Sequence, residues 1–300
     1  METGSARIIT FANIKGGVGK TTAVVNVAYI LSHHFGKKVL VVDSDDQGNA
    51  TKAFGVRDVS HQEEKNLWVA LQSKLSYRKV TIESSYDGVS LIASSKELKG
   101  AQLAFGSSAR GIKMFKKLLR GAERDYDYVL IDTKPQINVL LQAALAASNG
   151  YVVPSFPESD SYDGFVDLLG ECEEIYEEEN DGLRCLGVLF TNVKKAPAHL
   201  AYIDFIGKHL RKAKVPYFKT LIRHSNSIAS GNLHNCPAVA LSSSRNIGED
   251  YIAVTKTLMQ RSAPSAAGGR PKLDVLGLGP SLRQEDALVV VEDSMNEIHF

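Results

Sequence analysis

Cysteine is scarce and scattered: Cys172, Cys185 and Cys236 are the three in 300 residues, an odd number with no CxxC pair and no histidine at zinc-like spacing. That argues against a disulfide framework or a zinc site and leaves reduced structural thiols. Long apolar runs are missing too. No stretch reaches the ~18 uncharged apolar residues of a membrane-spanning helix. The opening METGSARIITFANIKGG enters a strand pattern without the apolar core of a secretory signal. The sequence therefore predicts a soluble, cytoplasmic protein. Nor does one sign of charge dominate: 35 Lys and Arg stand against 34 Asp and Glu, a net of +1. Residues 262–300 hold three basic residues (Arg270, Lys272, Arg283) against six acidic ones, while residues 1–261 carry 32 against 28, a net of +4. That weak excess permits contact with nucleic acid without implying it.

What the chain does have is apolar material for a sizeable core, with 44% of its residues hydrophobic. Short β-rich apolar runs recur at Ile8–Ala12, Val39–Asp43, Val89–Ala93, Tyr128–Asp132, Tyr151–Pro154, Leu186–Thr191 and Val215–Leu221. Helix-period stretches lie between them, including Lys20–Phe35, Gly111–Arg124, Val139–Ala147, Tyr162–Glu179 and Ala198–Lys212. Strands that are apolar on both sides and alternate with helices predict an α/β fold: a doubly wound, mostly parallel sheet with helices on both faces. Residues 1–261 show no break and are expected to form one domain. From Ser262 to about Leu282, Pro, Gly and Ser accumulate without an apolar stripe, so 262–300 reads as a flexible linker and acidic tail. The apolar ALVVV near its end could form a short strand or dock a partner.

The strongest local signal is Lys15-Gly16-Gly17-Val18-Gly19-Lys20-Thr21-Thr22, set directly between the first strand and the first helix. The general phosphate-loop pattern GxxxxGK[ST] needs glycine where Ile14 stands, so this is a variant opened by KGG. Gly16, Gly17 and Gly19 let the backbone turn back on itself and aim N–H groups inward, while the helix N-terminus adds positive potential for a polyphosphate. Lys20 then supplies a point charge to the β- and γ-phosphates, the Thr21 hydroxyl is placed to ligate Mg²⁺, and Thr22 can bond a more proximal phosphate. Two strands end in acids, Asp43 to Asp45 after VLVV and Asp132 after YVLI, at the carboxyl edge where open parallel sheets bind ligands. Asp132 is expected to hold a metal-bound water.

Together KGGVGKTT, VLVVDSDDQGNAT and YDYVLIDTKP resemble the three nucleotide-site motifs of the ParA/MinD family, deviant-Walker P-loop ATPases. The DxDxQGNxT form from Asp43 to Thr51 is most similar to the small Soj-like partition ATPases. Weaker similarity continues through Gly187–Asn192, Ile222–Val239 and Ser244–Tyr251. The resemblance implies a P-loop NTPase that takes ATP and Mg²⁺, forms a homodimer around the nucleotide and hydrolyses ATP slowly unless stimulated. Position by position, it implies that Lys15 is the signature lysine reaching across the dimer to the partner subunit's phosphates. It likewise implies that Asp45 positions the attacking water and that Asp43 lies near the Mg²⁺ shell. The candidate catalytic groups are therefore Lys15, Lys20 and Asp45, and the candidate metal ligands Thr21, Asp43 and Asp132. An ammonium delivered in trans would neutralise charge on the transferred phosphoryl and link nucleotide state to oligomeric state. A carboxylate is a weak base, which suits slow turnover. The chain also departs from the family pattern: Asp46 stands where Pro is usual, and Lys134 and Gln136 replace the first Pro and the Ser of the usual DTPPS. These changes leave every phosphate and metal group in place and bear on rate and on coupling between the switch loops.

Partition ATPases of this kind bind DNA without sequence preference as ATP dimers, which implies association with the nucleoid and a ParB-like adaptor that stimulates hydrolysis. Ser227 occupies the position where the family often carries its DNA-contacting Arg. Arg223 and Arg245 are the next candidates because they lie nearest the aligned segments, with Lys194, Lys195, Lys208, Arg211, Lys212 and Lys214 as further cations. The acidic, Pro/Gly-broken tail differs from the basic amphipathic helix of membrane-associated MinD-like proteins, so no stable membrane association is expected. A phosphate loop starting at residue 15 leaves no room for a preceding helix-turn-helix domain, which argues against operator-specific repression. The expected task is plasmid or chromosome partition. The alternative is positioning of a protein cargo such as a microcompartment, secretion or chemotaxis assembly. An amidoligase would need a substrate-binding constellation that the sequence does not display. An iron-protein-like electron carrier would need a bridging cysteine at a strand end, and Cys172 and Cys236 lie elsewhere.

Overall fold

A strand such as VLVVD, apolar at every position but its last, is stable only where both faces of its sheet are covered. The computed structural model, which describes residues 6–55, 65–106, 109–158 and 161–264, provides that cover. Its strands are β1 (Arg7–Phe11), β2 (Val39–Asp43), β3 (Thr81–Glu83), β4 (Val89–Ile92), β5 (Tyr128–Asp132), β6 (Gly150–Ser155) and β7 (Arg184–Phe190). They form one sheet in the order β3-β4-β2-β5-β1-β6-β7, parallel throughout except for the edge pair β3–β4. The helices are α1 (Lys20–His33), α2 (Asn49–Ala53), α3 (Leu67–Gln72), α4 (Tyr77–Val80), α5 (Ala101–Phe105), α6 (Ala109–Ile112), α7 (Met114–Leu118), α8 (Val139–Ala147), α9 (Ser161–Glu178), α10 (Pro197–Lys212), α11 (Asn226–His234) and α12 (Arg245–Arg261). The expected doubly wound α/β sheet is present.

The pleat sorts each strand between two faces. Val39, Val41, Tyr128 and Leu130 pack with Val24, Val27 and Leu31 of α1 and with Tyr251 and Val254 of α12. Leu40, Val42, Val129 and Ile131 point the other way, onto Phe115, Leu118 and Leu140. A third cluster joins Tyr151 and Val153 of β6 and Val188 of β7 to Phe165 and Leu168 of α9 and Leu210 of α10. Each fully buried Val or Leu contributes roughly 1.5–3 kcal/mol, which makes this sheet a rigid base for the loops at its carboxyl edge. Among the described residues no helix is long and apolar enough to cross a membrane.

Two expected elements differ. Val215–Leu221 is not a strand. It runs beside β7 through a single bridge, Val188 to Tyr217, because Pro216 has no N–H to give to a ladder and Lys214 adopts a φ of 56°. The continuous helix expected over Gly111–Arg124 is broken into α6, α7 and a 3₁₀ turn at Ala122–Arg124. Gly111 approaches α8 so closely that a Cβ there would lie 2.9 Å from Val139 Cγ2, and packing overrides the helical period. β3 was not expected, being three residues long with one strongly apolar side chain, Ile82. The linker and tail expected over 262–300 lie outside the described residues from 265 onward.

Candidate functional site

Between the end of β1 at Phe11 and the start of α1 at Lys20 the chain crosses the carboxyl edge of the sheet, flanked by β5 and β6. It turns through Gly17 and Gly19, whose φ values of 75° and 85° fall in the left-handed region that a Cβ makes costly. Two distant side chains pin the turn. Thr191, just past β7, donates its hydroxyl to the Val18 carbonyl at 2.8 Å. Asn13 donates to the Pro154 carbonyl at 2.8 Å and accepts the Lys15 amide at 2.9 Å. No side chain caps the N-terminus of α1, so the first-turn amides of Lys20, Thr21 and Thr22 stay open to an anion. A cavity of about 240 Å³ opens beside them between α1, α2 and the end of α11, lined in part by Thr21, Thr22, Asn26, Asn49, Asn232 and Cys236.

Lys20 is almost fully buried, and its Nζ donates to the Lys15 carbonyl at 3.0 Å. Burial lowers its pKa to about 8, against the opposing pull of Asp132 and Asp45. Lys15 lies on the open side of the loop, 26% exposed, with Nζ 3.8 Å from Glu158.

The register of β2 and β5 sets Asp43 beside Asp132. Asp43 is occupied by the protein. One oxygen accepts the Thr51 amide at 2.8 Å and the Thr51 hydroxyl at 2.7 Å, and the other accepts the Asp45 amide at 3.2 Å. Burial still pushes its pKa up to about 6 against those bonds. Asp132 is the opposite case, with both oxygens buried and neither holding a hydrogen-bond partner. Burial first, and then the charge of Asp43, raise its pKa well above the usual carboxylate range, with the Thr21 hydroxyl and Lys20 opposing. Two adjacent buried carboxylates, one with open oxygens and a hydroxyl nearby, make a donor set short of a cation. Among the described residues no group of three or more His, Cys, Asp or Glu could hold an ion alone. Mg²⁺ suits such a site, because it keeps several waters and takes further ligands from phosphate.

Asp45 faces the same space, and its charge acts on both Lys20 and Asp132. Its carboxylate accepts the Gln47 amide at 3.0 Å, and its carbonyl accepts the Gly48 amide at 2.9 Å and the Ser94 hydroxyl. Asp46 makes separate contacts: its Oδ1 is 2.5 Å from Lys134 Nζ and its Oδ2 accepts Gln47 Nε2 at 2.9 Å. Burial opposes ionisation of Asp46, but Lys134 and Gln47 hold its carboxyl below the usual value. The two charged departures from the family pattern are thus each other's partners.

The cations proposed for DNA separate into two kinds. Arg223 donates from its amide and Nε to one oxygen of Asp250, at 3.1 and 2.9 Å, and from Nη2 to the other at 2.7 Å and to the Asn246 carbonyl at 2.8 Å, which ties the segment after β7 to α12. Arg245, at the start of α12, is 90% exposed with Glu249 at 3.5 Å. Ser227 is buried and donates to the Ser243 carbonyl at 3.1 Å. Lys208 pairs with Asp204 at 2.9 Å, and Arg211 donates to the Tyr217 hydroxyl at 2.7 Å. Thr191, Asn13 and Ser94 carry no motif in the sequence. The only signal they offer is a polar residue placed at or just beyond the end of an apolar strand.

A family model described as an AAA domain matches residues 6–185. The chromosome-partitioning ATPase Soj of Thermus thermophilus is 35% identical over 236 residues, covering 73% of this chain and 88% of that protein. Among solved structures, an ATP complex of McdA from Cyanothece has a TM-score of 0.75 at 19% identity, over 85% of this chain and 98% of that one, a likeness of fold. Cobyrinic acid a,c-diamide synthase from Mycobacterium smegmatis, with bound ADP and magnesium, has a TM-score of 0.68 at 25% identity, over 81% and 96%. With a synthase among these neighbours, the fold alone does not fix the reaction.

Proposed function

Because the chain belongs to the ParA/MinD family of P-loop ATPases, we propose that it binds ATP with Mg²⁺ at Lys15–Thr22, joins two copies face to face around the nucleotide, and uses slow hydrolysis to release DNA in a partition cycle. The observation that carries this reading is the open pair of oxygens on buried Asp132, set beside Thr21 and Lys20 at the mouth of an uncapped helix. The loop amides and Lys20 hold the β- and γ-phosphates. Thr21 and Asp132 would hold the metal or its waters, and Asp43 keeps the loop after β2 in place through Thr51. When bound, Mg²⁺ would neutralise charge on the phosphates. Asp45 orients the attacking water and takes its proton, and a carboxylate base keeps that step slow. Lys15 leaves Glu158 and lends its ammonium to the partner's phosphates, so that ATP becomes part of the interface.

Arg245, with Lys212 and Lys214 at the end of α10, serves the nonspecific DNA contact, while Arg223 stays with Asp250. A ParB-like adaptor accelerates hydrolysis, and the site of action is the nucleoid. Plasmid or chromosome partition is supported by the name and extent of the Thermus thermophilus relative. The test is a pair of substitutions read by nucleotide binding and sedimentation. Lys20→Ala is expected to abolish ATP binding. Lys15→Ala is expected to keep monomer binding and lose the ATP-dependent dimer, and if it dimerises normally the face-to-face reading is wrong.

A further inference from the structure

We infer that the Asp46–Lys134 ion pair is a positioning clamp for Asp45, joining the loop after β2 to the loop after β5. It deepens the hydrolysis reading above and rests on the role given there to Asp45. Asp46 follows Asp45 directly, and its side chain is 2% exposed against 32% for Lys134. Both oxygens of Asp46 are engaged, one by Lys134 at 2.5 Å and the other by Gln47 Nε2 at 2.9 Å, with Lys99 behind at 3.9 Å. Occupied in this way, Asp46 is no second base; it is an anchor.

The other end of the clamp is fixed. Thr133, next to Lys134, donates its hydroxyl to the Phe11 carbonyl at the end of β1 at 2.7 Å, and the Gln136 amide closes back on the Lys134 carbonyl at 2.8 Å. Pro135 abuts the phosphate loop, its Cγ 3.9 Å from where a Cβ on Gly16 would lie. Lys134 therefore extends from a segment tied to β1 and touching the phosphate loop. On its far side the Asp45 loop is held by Ser94 and by the Gly48 amide. On its near side Ser44, just before Asp45, gives its amide and hydroxyl to the Asp132 carbonyl at 3.0 and 2.6 Å, which fixes the start of the loop; the Lys134 ion pair fixes the residue just after Asp45 and refers it to the segment that touches the phosphate loop. Removing the Lys134 charge would also leave a buried anion one residue from Asp45 and three from Asp43, and repulsion would then displace the group that has to aim a water.

The experiment measures kcat and ATP affinity, with Mg²⁺, for the full chain carrying Asp45→Asn, Asp46→Asn, Lys134→Met, the double variant of the last two, and Lys134→Arg. Asp46→Asn and Lys134→Met are each expected to lower kcat by roughly ten- to a hundredfold with ATP affinity within about twofold, because misplacing an orienting group slows the chemical step without loosening the phosphates. The double variant is expected to be no slower than the worse single one, and Lys134→Arg to retain most of the activity. A purely structural pair would lower thermal stability and ATP affinity together and leave kcat of the folded fraction intact. Unchanged kcat in the single variants, or losses that multiply in the double variant, would overturn the clamp. If Asp45→Asn abolishes turnover while the pair variants turn over normally, the clamp alone is wrong. If Asp45→Asn turns over normally, the role of Asp45 is wrong and the clamp falls with it.

Discussion

Lys20 has to carry a charge where charge is discouraged. Its burial holds the pKa near the middle of the accessible range, at about 8, so in the nucleotide-free protein a rise in pH past that value leaves it neutral. A polyphosphate binds the protonated form. Apparent ATP affinity is therefore expected to weaken by up to about tenfold per unit as pH rises above about 8. A fluorescent-nucleotide titration across that range checks this, and Lys20→Arg, whose charge persists throughout, is expected to lose the inflection. Lys20 and Thr21 were legible in the sequence because loop and helix start are one local signal. Thr191 was not, because its partner Val18 is 173 residues away and a lone threonine after an apolar run says nothing about whose carbonyl it will meet. The same distance problem hid the pairing of Asp46 with Lys134: each was visible as a departure, but only the register of β2 against β5 brings them together.

Among the elements, strands buried on both faces and helices with clear ends announced themselves. β2, β5 and α8 have the bounds their apolar runs suggested. Elements whose fate depends on packing did not: Pro216 and the neighbouring β7 decide against a strand at Val215–Leu221, and the close approach of Gly111 to Val139 decides against a single helix. Arg223 and Arg245 both meet α12, the first as a partner of its Asp250 and the second as its exposed first residue. Arg223 fastens the segment after β7 to this helix, so Arg223→Ala is expected to cost about 2 kcal/mol of stability, seen as a lower Tm, while leaving the salt slope of DNA binding unchanged. Arg245→Ala is expected to leave Tm unchanged within error and to reduce the slope of log K against log salt by about 1. A salt series with ATP present, run beside a melting curve for each variant, separates the two.

At the scale of the whole molecule, the proposed cycle makes the nucleotide a linkage between folding and assembly. A ligand at a hundred times its Kd stabilises the native state by about 2.7 kcal/mol, and a ligand that also holds a dimer makes Tm depend on protein concentration. With Mg²⁺ and ATP, Tm is expected to rise and to rise further with protein concentration; with ADP it is expected to rise without that dependence. Melting curves over a hundredfold range of protein concentration measure this, and a concentration-independent Tm with ATP would remove the dimer from the cycle. The hydrogen bond from Thr191 to Val18 also bears on synthesis. On the ribosome β1 emerges before the other described strands, yet its two neighbours, β5 and β6, arrive more than a hundred residues later, and the Val18 carbonyl waits longer still for the hydroxyl beyond β7. The phosphate cradle, though its loop follows the earliest strand of the sheet, is therefore among the last parts a nascent chain completes.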